Sequence, residues 1–350
     1  MNAQADIERR LSVIIPVRNG EETILECLES LTAQSRLPDE VVVVDNGSVD
    51  QTVSLVKQWA ATHPGFPLHL VREEKKGPAA ARNRGAREAR SDLAAFLDAD
   101  CIAEPTWLET IEKEFQRGHR AVGGTYRGYL PGHWMEKYVH ATRISLLGKR
   151  TELTQMSLYG PFLVGANSAF EKRLFQEVGG YDERLKAAED FELSMRLLHH
   201  GILPVYNPDI RVVHRSRTSL LARLRRSVLS GLAEVYVFKQ YGKRESLLRI
   251  FPGHTLKIPN FFRFYLDLWC PPVFLILFGS LFFYWGKRGL ILIFLSAFLF
   301  FLRFIWILEK GGERAKAGEL VAIVSWWLIE RLCLEAGRLY GTIRYGVFYL

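Results

Sequence analysis

The stretch Ser91–Cys101, read SDLAAFLDADC, constrains this chain more than any other. Leu93, Ala94, Ala95, Phe96 and Leu97 form a short apolar run that stops at Asp98-Ala99-Asp100. A run of this length, bounded by polar residues, reads as a buried strand of a parallel sheet. Open α/β sheets bind ligands at the carboxyl ends of their strands. Alternation along an extended chain points both acids to one side, and two close anions repel unless a cation lies between them. Hard Mg²⁺ or Mn²⁺ prefers oxygen ligands and would serve. A solvated Asp-rich turn is the alternative, since Asp is common in turns.

Upstream residues supply the rest of such a sheet. Leu11–Val17 is β-branched and strand-like, ending in Arg18-Asn19-Gly20. Glu21 and Glu22 open a helix with Ile24, Leu25, Leu28 and Leu31 at helical spacing. Glu40–Asp45 is a second strand, Asn46-Gly47-Ser48 a tight turn, and Asp50 an N-cap. Leu68–Val71 is a weaker strand, and Gly77-Pro78 starts a helix reaching Ala89. This β-α alternation implies parallel strands with right-handed crossovers. The strand ends then converge on one edge. Asp45 there is either a hydrogen-bond acceptor for a base or ribose, or a plain turn residue. Gly77 and Arg82 suit a diphosphate at a helix N-terminus, whereas Arg87 and Arg90 read as a solvated basic face.

Taken in order, LSVIIPVRNGEETI, VVVVDNGSVDQT, KGPAAARNRGAREA and LAAFLDADC resemble the donor half of family 2 glycosyltransferases, over about residues 10–240. The resemblance implies a GT-A fold, an α/β architecture with a Rossmann-like, mostly parallel sheet. It also implies a nucleotide-diphosphate sugar donor and a divalent cation. Asp45 would contact the base, and Pro16 and Asn19 would contribute from the first strand end. Asp98 and Asp100 would bind the sugar or ribose and the metal. Arg18 departs from the aromatic or small residue common there and leaves the base open.

Further along, GANSAF, GGYDE and AEDFEL fit the same family. Asn167 and Ser168 would line the sugar pocket, and Glu189 would lie beside it. Asp190 would be the general base, which suits an acceptor hydroxyl that loses its proton as it attacks C1. A helix N-terminal acid stabilised by the dipole is the bland alternative. His214 either completes the metal site or is a structural strand-end residue. Processive members carry Gln-x-x-Arg-Trp after the base. RSRTSLLARLRRSVLSG lacks it, which suggests one sugar per acceptor.

Charge is unevenly placed. Net charge is +8, yet residues 1–214 hold more acids than bases, and the basic excess flanks apolar segments. That favours an anionic membrane surface over nucleic acid. Thr218–Tyr241 reads as a basic amphipathic helix. Leu268–Trp285 and Gly289–Leu308 are apolar enough to span a bilayer, and Leu320–Ile329 is a marginal third candidate. The expected layout is a tail over 1–10, a GT-A domain over 11–217, a juxtamembrane region over 218–266, and a membrane region over 267–350 with two or three spans. Residues 1–10 lack an apolar signal-peptide core, and the four cysteines match no metal motif, consistent with a reducing compartment. The expected location is a multi-pass inner or plasma membrane, catalytic domain in the cytoplasm, with a lipid or lipid-linked acceptor. A non-catalytic scaffold that keeps a sugar-nucleotide domain is the alternative. Retention of Asp98, Asp100 and Asp190 argues against it.

Overall fold

The computed structural model describes residues 9–129, 150–153, 163–215, 219–241, 246–251, 254–258, 264–267, 317–346 and 348–349. Contacts divide the chain into two units, one holding 1–129, 146–156 and 160–216, the other 130–145, 157–159 and 217–350.

The first unit is an α/β sheet. Its strands are β1 (Leu11–Val17), β2 (Glu40–Asp45), β3 (Leu68–Arg72), β4 (Leu93–Leu97), β5 (Cys101–Ala103), β6 (Ala121–Gly128), β7 (Thr151–Glu152), β8 (Asn167–Glu171) and β9 (Val205–His214). They run in the order β3-β2-β1-β4-β8-β6-β9-β5, with β7 on β9. The β3-β2-β1-β4 block is wholly parallel. Its two central strands, β2 and β1, are buried along nearly their whole length, the pattern of parallel strands covered on both faces. β8 then enters antiparallel to β4, with Leu97 opposite Asn167. β5 is antiparallel to β9, with Cys101 opposite His214.

Helices α1 (Ile24–Thr32), α2 (Thr52–Thr62), α3 (Pro78–Glu88), α4 (Trp107–Gln116), α5 (Lys172–Glu177) and α6 (Glu189–His199) complete the unit. α3 buries small residues: Ala79, Ala80, Ala81, Gly85 and Ala86. A Cβ at Gly85 would come within 2.3 Å of Ile14 Cγ2, so the helix axis sits close on β1 only because that position is glycine. At the bulge in β6, a Cβ on Gly124 would meet the Ile210 carbonyl at 1.8 Å.

The second unit contains α7 (Leu220–Tyr241) and α8 (Ala317–Tyr345), with strands β10 (Ser246–Phe251), β11 (His254–Ile258), β12 (Phe264–Asp267) and β13 (Phe348–Tyr349). α7 and α8 cross at backbone contact. Added Cβ atoms at Gly231 and Gly337 would lie 2.0 and 1.9 Å from the carbonyls of Leu334 and Val228. Arg338 is fully buried between Glu234 (2.7 Å) and Glu335 (2.7 Å).

The expected membrane region requires correction. Among the described residues, no helix is long and apolar enough to cross a membrane, so the expected multi-pass location is not supported. The marginal segment Leu320–Ile329 belongs to α8, a longer helix that also carries Glu330, Arg331, Glu335 and Arg338. These charges are costly in hydrocarbon, and Arg338 here is neutralised inside the α7–α8 pair. The basic helix α7 packs its Ser227, Gly231 and Phe238 side inward, and leaves Leu220 and Leu221 exposed. Leu268–Trp285, Gly289–Leu308 and the aromatics Trp134, Tyr138 and Tyr159 lie outside the described residues.

Candidate active site

Two loops at the ends of β1 and β2 are zipped together. Asn19 takes a left-handed conformation (φ 52°), which Asn tolerates better than most residues. Its N–H donates to Ser48 Oγ (3.0 Å), and its Oδ1 accepts from the Val49 N–H (2.9 Å). Asp45, 6% exposed, accepts the Ser48 N–H on Oδ1 at 3.0 Å. Pro16 lies in β1 opposite Val44, two positions past Ile14, where the pairing of β1 with β4 ends. Its missing N–H therefore removes little from the sheet. Next to Asp45, the Asn46 amide donates to the carbonyls of Glu73 (3.0 Å) and Lys75 (2.8 Å). Its Oδ1 accepts the Gly77 N–H (2.8 Å). Asn46 thus fixes the N-terminus of α3 against the β2 end. Gly77 caps that helix at φ 135°, outside the range of ordinary L residues.

Arg82 lies one turn into α3, and it points inward. It is 4% exposed. Its Nη2 donates to Asp98 Oδ1 at 2.6 Å and its Nη1 to Glu189 Oε1 at 2.9 Å. Its guanidinium lies 5.4 Å from the centre of the Tyr181 ring. Burial by itself would lower the Arg82 pKa. Asp98, Tyr181 and Glu189 outweigh that and raise it, so the cation persists. Each terminal nitrogen thus gives one N–H to a carboxylate in this arrangement. Glu189, 4% exposed, is held in the same cluster. Removing one member of a buried ion pair costs about 3–5 kcal/mol.

The turn after β4 carries the two acids. The Cys101 N–H donates to the Asp98 carbonyl (2.9 Å), and the Arg215 N–H to that of Asp100 (2.8 Å). Pairing of β5 with β9 then sets Asp100 Oδ1 3.5 Å from His214 Nε2. The His214 ring packs on Tyr126 at 5.5 Å. Among the described residues, the ligand atoms of Asp100, Cys101 and His214 lie within 4.8 Å of one another. Burial first, then the nearby Asp100 and Asp98, push the Cys101 thiol well above its ordinary pKa, so it stays protonated. The donor set is then a carboxylate and an imidazole, with partly exposed Asp98 near them. Such oxygen and nitrogen donors fit Mn²⁺ or Mg²⁺.

Asp190 is the second residue of α6, whose N-cap, Ala188, takes a left-handed conformation (φ 59°). Its Oδ1 accepts the Phe191 N–H at 2.9 Å, and its Oδ2 accepts the Gly165 N–H at 3.2 Å. Gly165 is the residue that sequence reasoning left without a role. A Cβ there would sit 3.0 Å from Arg82 Cζ, so the loop passes close against the guanidinium. Its motif, GANSAF, was visible, but nothing local shows that it packs on α3. Tyr181, fully buried behind Arg82, was equally hidden.

Asn167, expected at the sugar pocket, lies at the start of β8. It is 0% exposed. Its Oδ1 accepts from Trp107 Nε1 (2.8 Å), and its Nδ2 donates to the carbonyls of Thr125 (2.7 Å) and Ile210 (2.9 Å). Its whole amide is spent joining α4, β6 and β9 at the start of β8.

Residues 12–179 match the family described as Glycosyl transferase family 2. The chain is 29% identical over 215 residues to the glycosyltransferase AglE of Haloferax volcanii, covering 59% of this chain and 67% of that protein. It is 30% identical over 225 residues to the pre-mycofactocin glycosyltransferase of Mycobacterium tuberculosis, covering 64% of this chain but only 46% of that one. A third relative, the glucosyl-dolichyl phosphate glucuronosyltransferase of Haloferax volcanii, is 26% identical over 223 residues, covering 59% and 69%. Among solved structures, the mannosyltransferase PcManGT from Pyrobaculum calidifontis, in complex with GDP-Man and Mn²⁺, aligns with a TM-score of 0.55 at 22% identity. That alignment covers 95% of this chain and 87% of PcManGT. The structural likeness supports a GT-A-like fold.

Proposed function

We propose that the chain is an inverting, non-processive glycosyltransferase, a reading supported by the match of residues 12–179 to Glycosyl transferase family 2 and by the glycosyltransferases it resembles. It moves one sugar from a nucleotide-diphosphate donor to a hydroxyl of a lipid-linked saccharide. The observation that carries this reading is the set of acids gathered past the end of β4: Asp98 bridged to Glu189 by the buried Arg82, Asp190 held next to Glu189 through the Gly165 N–H, and Asp100 paired with His214. In this reading Asp45, Asn19, Pro16 and Gly77 face the nucleoside, with Asp45 accepting from base or ribose. Asp98, Asp100 and His214 hold a divalent cation, which neutralises charge on the leaving diphosphate. Mn²⁺ with GDP-Man in the PcManGT structure is the precedent for such a cation on this fold.

Asp190 takes the acceptor proton as the hydroxyl oxygen attacks C1 from the face opposite the diphosphate. The new C1–O bond forms as the old C1–O bond to phosphate breaks, so the anomeric configuration inverts. The two backbone N–H donors on Asp190 aim the carboxylate. The dolichyl-linked substrate in the name of one relative supports a lipid-linked acceptor.

The test is a panel of nucleotide-diphosphate sugars with Mn²⁺, offered to free and lipid-linked saccharides and read by mass spectrometry. Transfer that disappears in Asp190→Asn and in Asp100→Ala is the expected result. No transfer from any donor by folded wild-type protein overturns the reading. Equal transfer to free and lipid-linked saccharides overturns the acceptor assignment alone.

A further inference from the structure

We propose that Arg82 is a positioning residue that locks the donor side of the site to the helix bearing Asp190. The proposal rests on the glycosyl-transfer reading above. Three elements distant in sequence meet at this one side chain. Asp98 comes from the end of β4, Glu189 from the first turn of α6, and Arg82 from α3. The planar fork of a guanidinium can hold two carboxylates in fixed directions, which a lysine ammonium cannot do. Arg82 uses Nη2 for Asp98 and Nη1 for Glu189, and Tyr181 lies 5.4 Å away.

A second route reaches the same place. Gly165 is bounded by the Arg82 guanidinium, and its N–H is a donor to Asp190 Oδ2. Arg82 is therefore linked to the neighbourhood of Asp190 twice, through Glu189 on the same helix turn and through the Gly165 backbone. Its Nε is buried without a hydrogen-bond partner. A group retained at that cost, inside a cluster of acids, is there for the geometry that its two terminal nitrogens impose. Loss of the lock should leave the nucleotide contacts at Asp45 and Gly77 intact, while the acceptor-side carboxylate shifts relative to C1. Sub-ångström placement of a catalytic group governs rate more than affinity.

The experiment uses full-length Glu189→Gln, Arg82→Lys and the double variant, with Mn²⁺ plus UDP or GDP as binding probes. Glu189→Gln should lower kcat roughly 10²-fold, leaving donor KM little changed. Its affinity for Mn²⁺ with nucleoside diphosphate should stay within about twofold of wild type. Arg82→Lys should lower kcat and also weaken Mn²⁺ binding, because Asp98 loses its anchor. The double variant should be no slower than Arg82→Lys, since both changes break one link. Wild-type kcat in Glu189→Gln, or losses that multiply in the double variant, overturns the proposal. If Arg82→Lys does not fold, the kcat-against-KM split in Glu189→Gln decides alone. Absence of transfer by the wild type sinks the functional reading instead. The lock is then read from Mn²⁺ and UDP binding, where Arg82→Lys and Asp98→Asn must be non-additive; additive effects overturn it.

Discussion

Asp100 Oδ1 lies 3.5 Å from His214 Nε2 because Cys101 is the register partner of His214 in the β5–β9 pairing. Two residues far apart in the sequence are brought together by strand register. Replacing His214 by Ala should weaken Mn²⁺ affinity at least tenfold or so, by analogy with the cost of disturbing a metal's supporting ligands. Asp100→Ala should weaken it further and abolish transfer. Mn²⁺ titration followed by electron paramagnetic resonance measures both, and wild-type affinity in His214→Ala would remove the imidazole from the site.

Asp190→Asn keeps the shape of the side chain but only one acceptor oxygen for the Gly165 and Phe191 N–H groups. It removes the proposed base. Transfer should fall by about 10²–10⁴-fold, the usual contribution of a positioned proton acceptor. Binding of UDP or GDP with Mn²⁺ should be preserved. Calorimetry beside initial-rate kinetics separates the two, and a parallel loss of binding would count against a purely chemical role.

Gly85→Ala sets two effects against each other. Alanine gains about 1 kcal/mol over glycine in a helix interior. The added methyl would lie 2.3 Å from Ile14 Cγ2 and 3.1 Å from Val44 Cγ2, deep between α3 and the sheet. Overpacking of this kind costs about 1–3 kcal/mol. A net destabilisation is expected, seen as a lower denaturation midpoint, and a stabilised variant would contradict the packing described.

Glu183 should contribute an acid-sensitive part of the stability. Burial pushes its carboxyl pKa up. Hydrogen bonds from Lys75 (2.5 Å) and Asn83 (2.8 Å) outweigh that, so it lies below the ordinary value of 4.5. A depressed carboxylate stabilises the fold in full above its unfolded pKa and loses that contribution as pH falls through the folded one. Glu183→Gln should therefore melt below wild type at neutral pH, with the gap closing as pH drops under 4.5. A gap constant over that range would mean that the charge is not what matters.

Much of the first unit is legible in the chain because its signals are local. The strands Leu11–Val17, Glu40–Asp45 and Leu93–Leu97 were expected within a residue or so of where they lie, since continuous apolar runs mark buried parallel strands. Helix starts were read less exactly. α1 begins at Ile24, after a turn that includes Glu21 and Glu22, and α2 begins at Thr52 with Asp50 bonded to the Thr52 N–H. The charges on α8 show why apolar content alone misleads. Leu320–Ile329 looks like a short span until Arg338 is seen buried between two acids.

The sequence by itself determined the α/β class, and it determined that strand ends bearing Asp45, Asp98 and Asp100 would share one edge, because parallel β-α units must present their carboxyl ends together. Tertiary structure alone decided which of those residues touch. It turned Arg82 inward onto Asp98 and Glu189, put His214 beside Asp100, and drew Asn167 into the sheet. Local periodicity states which face of an element a residue occupies. Register between distant strands and the close approach allowed at Gly85 and Gly165 depend on the whole packed sheet, so only the folded chain sets them.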